Sequence, residues 1–223
     1  LLVDEKNELG GSTIYENNEF NKIDKNAPSE WLKKEIEELK NIKNLEIKTR
    51  TSVAAYHQYN YLLARENLTD HLETKDKTNK IRQRLLKIRA KKVILATGAL
   101  ERPLIFNNND RPGIMLSSAV KKYSEFYGVA CGSKNVFFTN NDSAYESALS
   151  LYNKGINVKA IIDIRDQSES KIVKKVKEAG IKIYWSHSIV DTTGYKRLNS
   201  ISIMKLSNDG TSVTGSKISI SCD

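Results

Sequence analysis

Very little in this chain could serve as a reactive group. Its 223 residues include two cysteines, three histidines and two methionines. Cys131 and Cys222 lie far apart and match neither a redox nor a zinc spacing. With so little cysteine, a reducing, cytoplasmic setting is the expectation. His57 and His71 have no partner at metal-ligand spacing, so both read as surface or internally satisfied histidines. No apolar run approaches the roughly 18 residues that a membrane span requires. The chain opens on Leu1-Leu2-Val3 without an initiator Met and without a signal-peptide pattern. There is no Ser/His/Asp arrangement, no paired carboxylates in a convincing context and no Gly-x-Gly-x-x-Gly turn. No catalytic residue is expected within the chain.

What is present is an ordinary globular composition, 39% hydrophobic and 28% charged, which predicts a packed core. The length suits one large domain or two small ones. The net charge of +9 raises nucleic acid as a partner. The lysines, however, are spread along amphipathic helices (Lys33, Lys34, Lys40; Lys171, Lys174, Lys175, Lys177). No basic stripe interleaved with aromatics is visible in the sequence, so neither nucleic acid nor a membrane is expected as a partner.

The stretch Val93-Ile94-Leu95-Ala96-Thr97-Gly98-Ala99 is the most informative. A β-branched run that ends in small residues predicts a buried strand, Val93–Thr97, whose carboxyl end lies against a ligand. Thr97, Gly98 and Ala99 would let backbone approach a dinucleotide closely. At the start of the chain, Leu1-Leu2-Val3 runs into Asp4 and Glu5, with Gly10-Gly11 six residues beyond Asp4. An acid at a strand end can accept hydrogen bonds from ribose hydroxyls, although it can equally do no more than close a strand. The matching glycine-rich turn would lie before Leu1. The strand-like opening and closing segments lead us to expect a piece of a longer protein.

Between these points Pro28-Ser29 should start a helix capped by Ser29, with Leu32, Ile36 and Leu39 on one face. A strand at Leu45–Thr49 follows. Three runs, Val53–Gln58, Tyr59–Arg65 and Arg84–Ala90, predict an antiparallel meander. The turn-rich Asn107–Gly113 marks the domain boundary. Beyond it come a helix with Leu116, Ala119, Val120, Tyr123 and Tyr127 inward, a strand at Val136–Phe138, a helix capped by Asp142, and a strand at Val158–Ile162 that ends in Asp163. This resembles a nucleotide-binding βαβ unit. Thr139-Asn140-Asn141-Asp142-Ser143-Ala144 replaces the glycine turn, however, and Asp142 would repel a pyrophosphate. Ser168 should cap the next helix. Strands at Ile181–Trp185, Ile189–Thr192, Leu198–Leu206 and Lys217–Ser221 complete the unit.

Two longer segments are more specific. One is Ala96 to Leu104 (Ala-Thr-Gly-Ala-Leu-Glu-Arg-Pro-Leu) with Asn109 to Leu116 (Asn-Asp-Arg-Pro-Gly-Ile-Met-Leu). The other runs from Tyr127-Gly128-Val129 through Phe138-Thr139-Asn140-Asn141-Asp142-Ser143-Ala144-Tyr145. With the two Rossmann-like units, they resemble the sarcosine oxidase α-subunit family within the two-dinucleotide-binding flavoproteins. The resemblance implies an α/β fold of two Rossmann-like units with three-layer ββα/βαβ architecture, of the FAD/NAD(P)-binding disulfide-reductase type and truncated at both ends. It implies a first dinucleotide-binding domain over 1–112, carrying the meander, and a second unit over 113–223 with a degenerate nucleotide turn.

The family oxidises sarcosine to glycine and hydrogen peroxide and passes the one-carbon unit to tetrahydrofolate. The resemblance places NAD in this subunit, FAD and FMN in the complex, and a folate domain in the missing C-terminal half. Partners would be a flavin-bearing β subunit and small accessory subunits. The carried-over cofactor positions are Asp4 for the ribose with Glu5 beside it, Gly10, Gly11 and Ser12 near the pyrophosphate, Val53 for adenine, and Ala96, Thr97, Gly98 and Ala99 along the cofactor. Glu101 and Arg102 could contact cofactor or partner, or could form a local ion pair. Two alternatives stay open: an opine or proline dehydrogenase-like α subunit, and a scaffold that binds nothing.

Overall fold

The computed structural model describes residues 1–16, 22–73 and 80–223. The chain divides into two compact units, Leu1–Ala99 and Leu100–Asp223.

In the first unit, β1 (Leu2–Val3) pairs in parallel with β2 (Ile47–Lys48). The helix α1 (Pro28–Lys40) makes the crossover between them. Proline stands at the start of α1, where its missing N–H costs nothing. Leu32, Ile36 and Leu39 share its half-buried face at helical spacing. The residue before the helix is Ala27, and no side chain caps it, so the expected Ser29 cap is not formed.

The meander is present as β3 (Thr51–His57), β4 (Tyr61–Asn67) and β5 (Gln83–Arg89), in that order and antiparallel. Tyr59, expected to open the middle strand, instead turns the hairpin. Tyr59 and Asn60 both take left-handed backbone, and the Asn60 side chain accepts the Tyr56 hydroxyl at 2.7 Å.

The expected buried strand Val93–Thr97 is not formed. Residues 92–100 have no regular structure, and Ile94 and Leu95 are 91% and 67% exposed. An apolar β-branched run has the propensity for a strand, but a strand also needs neighbours for its backbone. Among the described residues no strand pairs with this one.

The second unit has three layers. A parallel sheet of β6 (Asn135–Thr139), β7 (Val158–Asp163) and β8 (Ile183–Trp185) lies at the centre. On one face α2 (Ser117–Glu125), α3 (Ser143–Asn153) and α4 (Lys171–Glu178) help build a core around Tyr145, Leu151, Ile161, Val173 and Val176. The other face meets an antiparallel sheet of β9 (His187–Thr193), β10 (Ser200–Leu206) and β11 (Val213–Ser221), burying Ile162, Ile201 and Ile203. The central strand is covered on both faces, which is why Ala160, Ile161 and Ile162 of β7 are all buried, while Lys159 near its start is exposed.

Two details differ from expectation here. Ser170, not Ser168, caps α4 by accepting the Val173 N–H at 3.4 Å. On α2 it is Val120, Lys121 and Ser124 that are buried, while Tyr123 and Tyr127 are 43% and 56% exposed.

Candidate functional site

In the first unit Asp4 stands immediately after β1, at the carboxyl end of a parallel strand. Its backbone N–H donates to the Lys48 carbonyl at 3.0 Å, and its carbonyl accepts from Thr51 N–H at 2.8 Å. The carboxylate is part-exposed and accepts the Lys6 N–H at 2.8 Å, which fixes the turn. Thr51 begins β3 two residues before Val53, so the sheet brings Asp4 and Val53 into one neighbourhood. Val53 is 44% exposed. Glu5 is exposed beside Asp4, and Ser12 is exposed in a short 3₁₀ turn, Gly11–Tyr15.

The two adjacent glycines do different things. Gly10 has φ +121°, and a Cβ there would run into the Leu32 side chain, so it lets the loop pack onto α1. Gly11 has open space where its Cβ would be. Ala96, Thr97, Gly98 and Ala99 are exposed, and among the described residues no hydrogen bond ties them to Asp4, Gly11 or Val53.

A cavity of about 510 Å³ lies between α1 and the loop, lined by Leu9, Ile14, Leu32, Ile36 and Ile47 together with Glu8, Lys33 and Lys40. It is apolar, and neither Asp4, Gly11 nor Val53 lines it.

In the second unit the corresponding acid is already committed. Asp163 ends β7 and is fully buried. Its carboxylate accepts the Tyr145 hydroxyl at 2.7 Å, the Arg165 N–H at 2.9 Å and the Arg165 guanidinium at 2.7–3.2 Å. Arg165 reaches on to Asp142 at 2.8 Å, immediately before α3. Burial, with the Asp163 carboxylate second, pushes the Tyr145 phenol well up, so it remains a donor. Hydrogen bonding to Asp163 raises the Arg165 guanidinium. Burial alone would raise the Asp142 carboxyl, but hydrogen bonds from Ser170 and Arg165 outweigh it and hold the group below its usual range.

Asp142 does not cap α3 as expected. The Asn141 side chain does, accepting the Ser143 N–H at 3.0 Å. Where a pyrophosphate would meet a helix N-terminus, this unit places Asp142 and Arg165 of its own. The Asp163 carboxylate, at the strand end where an acid would meet a ribose in such folds, is filled by Tyr145 and Arg165. The residues present do not fit a dinucleotide here.

Glu101 has a structural role unlike either one considered for it. Its carboxylate accepts Ser117 N–H, Ser117 Oγ and Ser118 N–H at 3.1, 2.8 and 2.7 Å, closing the N-terminus of α2. Cys222 is buried, which pushes its thiol up to about 11 and leaves it unreactive. Neither cysteine is in a disulfide. Among the described residues no cluster of side chains could hold a metal ion, and no helix is long and apolar enough to cross a membrane.

No protein-family model matches the chain. Its fold is that of the FAD- and NAD(P)-linked pyridine nucleotide-disulfide oxidoreductases. Thioredoxin reductase from T. acidophilum superposes with a TM-score of 0.64 at 16% identity, covering 99% of this chain and 65% of that one. L-Proline dehydrogenase from P. horikoshii gives a TM-score of 0.56 at 18% identity, covering 100% of this chain and 35% of that one.

By sequence the chain is a relative of the sarcosine oxidase α subunit. It is 37% identical over 211 residues to the subunit of Corynebacterium sp. (strain P-1), and 32% identical over 216 residues to that of Rhizobium meliloti (strain 1021). Each match covers 94% of this chain. The chain spans about a fifth of the length of these relatives, 21% and 22%.

Proposed function

We propose that this chain is part of the dinucleotide-holding module of a sarcosine oxidase α subunit, and that the first unit holds the nucleotide. The observation that carries this is Asp4. In a chain 37% identical to such subunits, an acid stands at the carboxyl end of a parallel strand with its carboxylate accessible, hydrogen-bonded through Thr51 to the strand that bears Val53. That is the position from which a carboxylate receives ribose hydroxyls in such folds. Val53 would face the adenine, and Gly11, with nothing over its Cα, would admit the phosphates. Glu5 and Ser12 border the same site, and Ala96 to Ala99 complete its wall only if the segment is drawn in beside β1.

NAD is the nucleotide proposed for this subunit. FAD and FMN would be held with a flavin-bearing β subunit, and tetrahydrofolate by a part of the α subunit outside this chain. When bound, the flavin supplies the oxidising chemistry that turns sarcosine into glycine and hydrogen peroxide. The residues of this chain position and shield; none carries the reaction. Small accessory subunits and a cytoplasmic setting belong to the same reading. So does the assignment of the two units as a first, nucleotide-holding domain and a second, closed one.

Full-length protein, denatured after purification, should release about one adenine dinucleotide per chain, and Asp4→Ala should abolish most of it. Unchanged nucleotide content in Asp4→Ala would favour a scaffold role. The likeness to L-proline dehydrogenase concerns the fold alone. Peroxide formed from proline and not from sarcosine would move the assignment to that relative.

A further inference from the structure

The outer face of the β3–β4–β5 meander carries positive charge and no acid. Register sets Tyr61 opposite His57 and Arg89, Leu63 opposite Ala55 and Lys87, and Arg65 opposite Ser52 and Leu85. Directly opposed residues of an antiparallel sheet share a face. Arg65, Lys87, Arg89 and His57 therefore rise from one side, and all four are exposed.

The sheet's acid, Glu66, is on the other face, where it is buried and paired with Lys48 at 3.2 Å and Arg84 at 3.5 Å. Asp70, beyond the end of the sheet, is engaged by Arg82 and Gln83. Among the described residues no acidic side chain pairs with Arg65, Lys87 or Arg89. Lys87 and Arg89 stand two residues apart on one strand, about 7 Å. At that spacing the two like charges repel, and no acidic partner among the described residues offsets the repulsion. Amid these cations are Leu63, Ala55 and Leu85, the last 61% exposed. An apolar middle with arginines around it is the composition of a protein–protein contact.

We propose that this face docks an acidic surface patch of the flavin-bearing partner subunit; the proposal rests on reading the chain as a subunit of that complex. A protein partner fits better than single-stranded nucleic acid. The Tyr61 ring is already covered, by the Arg89 guanidinium at 5.5 Å from its centroid and by His57 at 5.8 Å, so it offers no free platform for a base. Arg65 and Arg89 can each take a carboxylate with two parallel hydrogen bonds, and Lys87 adds a point charge between them.

Purified full-length protein and its flavin-bearing subunit are mixed, and the complex is followed by analytical ultracentrifugation from about 0.05 to about 0.5 M NaCl. The wild type should weaken steeply as salt rises. Arg65→Glu/Lys87→Glu/Arg89→Glu should bind roughly tenfold or more weakly, mainly through slower association. The neutral triple variant to Gln should fall between the two, and serves if the reversed one does not fold. Lys159→Glu/Lys171→Glu/Lys196→Glu, with the same change of net charge placed elsewhere, should bind like wild type.

Nucleotide content is measured on every sample. It should be unchanged in all variants, so loss of nucleotide in the wild type would refute the subunit reading separately from the docking face. Wild-type affinity in both meander variants overturns the proposal. So does equal weakening by the control variant. Binding of poly(U) that the meander variants abolish while the complex still assembles also overturns it, in favour of a nucleic-acid surface.

Discussion

Replacing Arg165 with Met tests whether the second unit is held shut by its own charges. The guanidinium is the main partner of a carboxylate with no solvent exposure, bonded to both oxygens and reaching Asp142 as well. Met keeps much of the stem's volume and removes every side-chain donor. Asp163 would keep the Tyr145 hydroxyl and one backbone N–H. Orphaning one member of a fully buried pair costs about 3–5 kcal/mol. Arg165 is 30% exposed, so water already screens part of the pair and the cost falls below that range, to about 2–3 kcal/mol.

Urea unfolding reads this directly, because Trp185 stacks on Tyr145 with ring centroids 6.1 Å apart. In a Trp31→Phe background Trp185 is the sole tryptophan and reports the second unit. With an m-value of about 1–3 kcal/mol/M, the midpoint should fall by roughly 1–2 M. Adding Asp163→Asn to Arg165→Met removes the buried charge and should restore a good part of the loss. A midpoint within about 0.3 M of wild type in the single variant would refute the account, since it would mean the buried carboxylate needs no counter-charge.

Two further outcomes are expected. Gly10→Ala should destabilise the first unit by about 1–3 kcal/mol, because the methyl runs into Leu32 and the backbone sits at φ +121°; Gly11→Ala, with open space above it, should cost less in a paired thermal melt. Glu101→Ala should cost about 1 kcal/mol through loss of the α2 cap. Burial pulls the Glu101 carboxyl up, but the Ser118 and Ser117 donors outweigh this and leave it below its usual value. A depressed folded-state value means the cap contributes fully above the unfolded carboxylate range and is lost as pH falls through the lower, folded value. The protection of the Ser117 and Ser118 amides, taken relative to the intrinsic exchange rate at each pH, should therefore fall on acidification in the wild type and be low throughout in Glu101→Ala.

The sequence carried the elements that rest on local pattern. The helical spacing of Leu32, Ile36 and Leu39, the alternation along the last three strands and the apolar Ala160–Ile162 of β7 all appear where those patterns lie. It failed where the outcome depends on a partner elsewhere in the chain. Val93 to Thr97 has strand composition and no strand beside it. Ser168 and Asp142 sit at helix starts, yet their neighbours Ser170 and Asn141 have the backbone geometry to cap. Glu101 lies sixteen residues from the helix it caps, and no local signal reveals that. The basic face escaped notice for the same reason. Arg65 stands about twenty residues before the Lys87–Arg89 pair in the chain, and only register puts them on one face.

The two strand-end acids bear most directly on function, and sequence spacing could not separate them. Asp4 follows and Asp163 ends a β-strand in a parallel pair, and each could close a nucleotide site or merely a strand. What distinguishes them is which donors reach each carboxylate. Around Asp163 there is a tyrosine eighteen residues back and an arginine two residues on, which satisfy the oxygens and leave no water-facing acceptor. Asp4 receives the Lys6 amide and remains part-exposed. A buried carboxylate with a full set of donors has nothing to gain from a ribose, since binding would first have to break a charge-assisted pair. An accessible carboxylate loses only water. The chain is therefore expected to hold one nucleotide and not two, because the strand-end acid of the second unit already has its donors. A release assay that returned two dinucleotides per chain would contradict this assignment even if Asp4→Ala removed one of them.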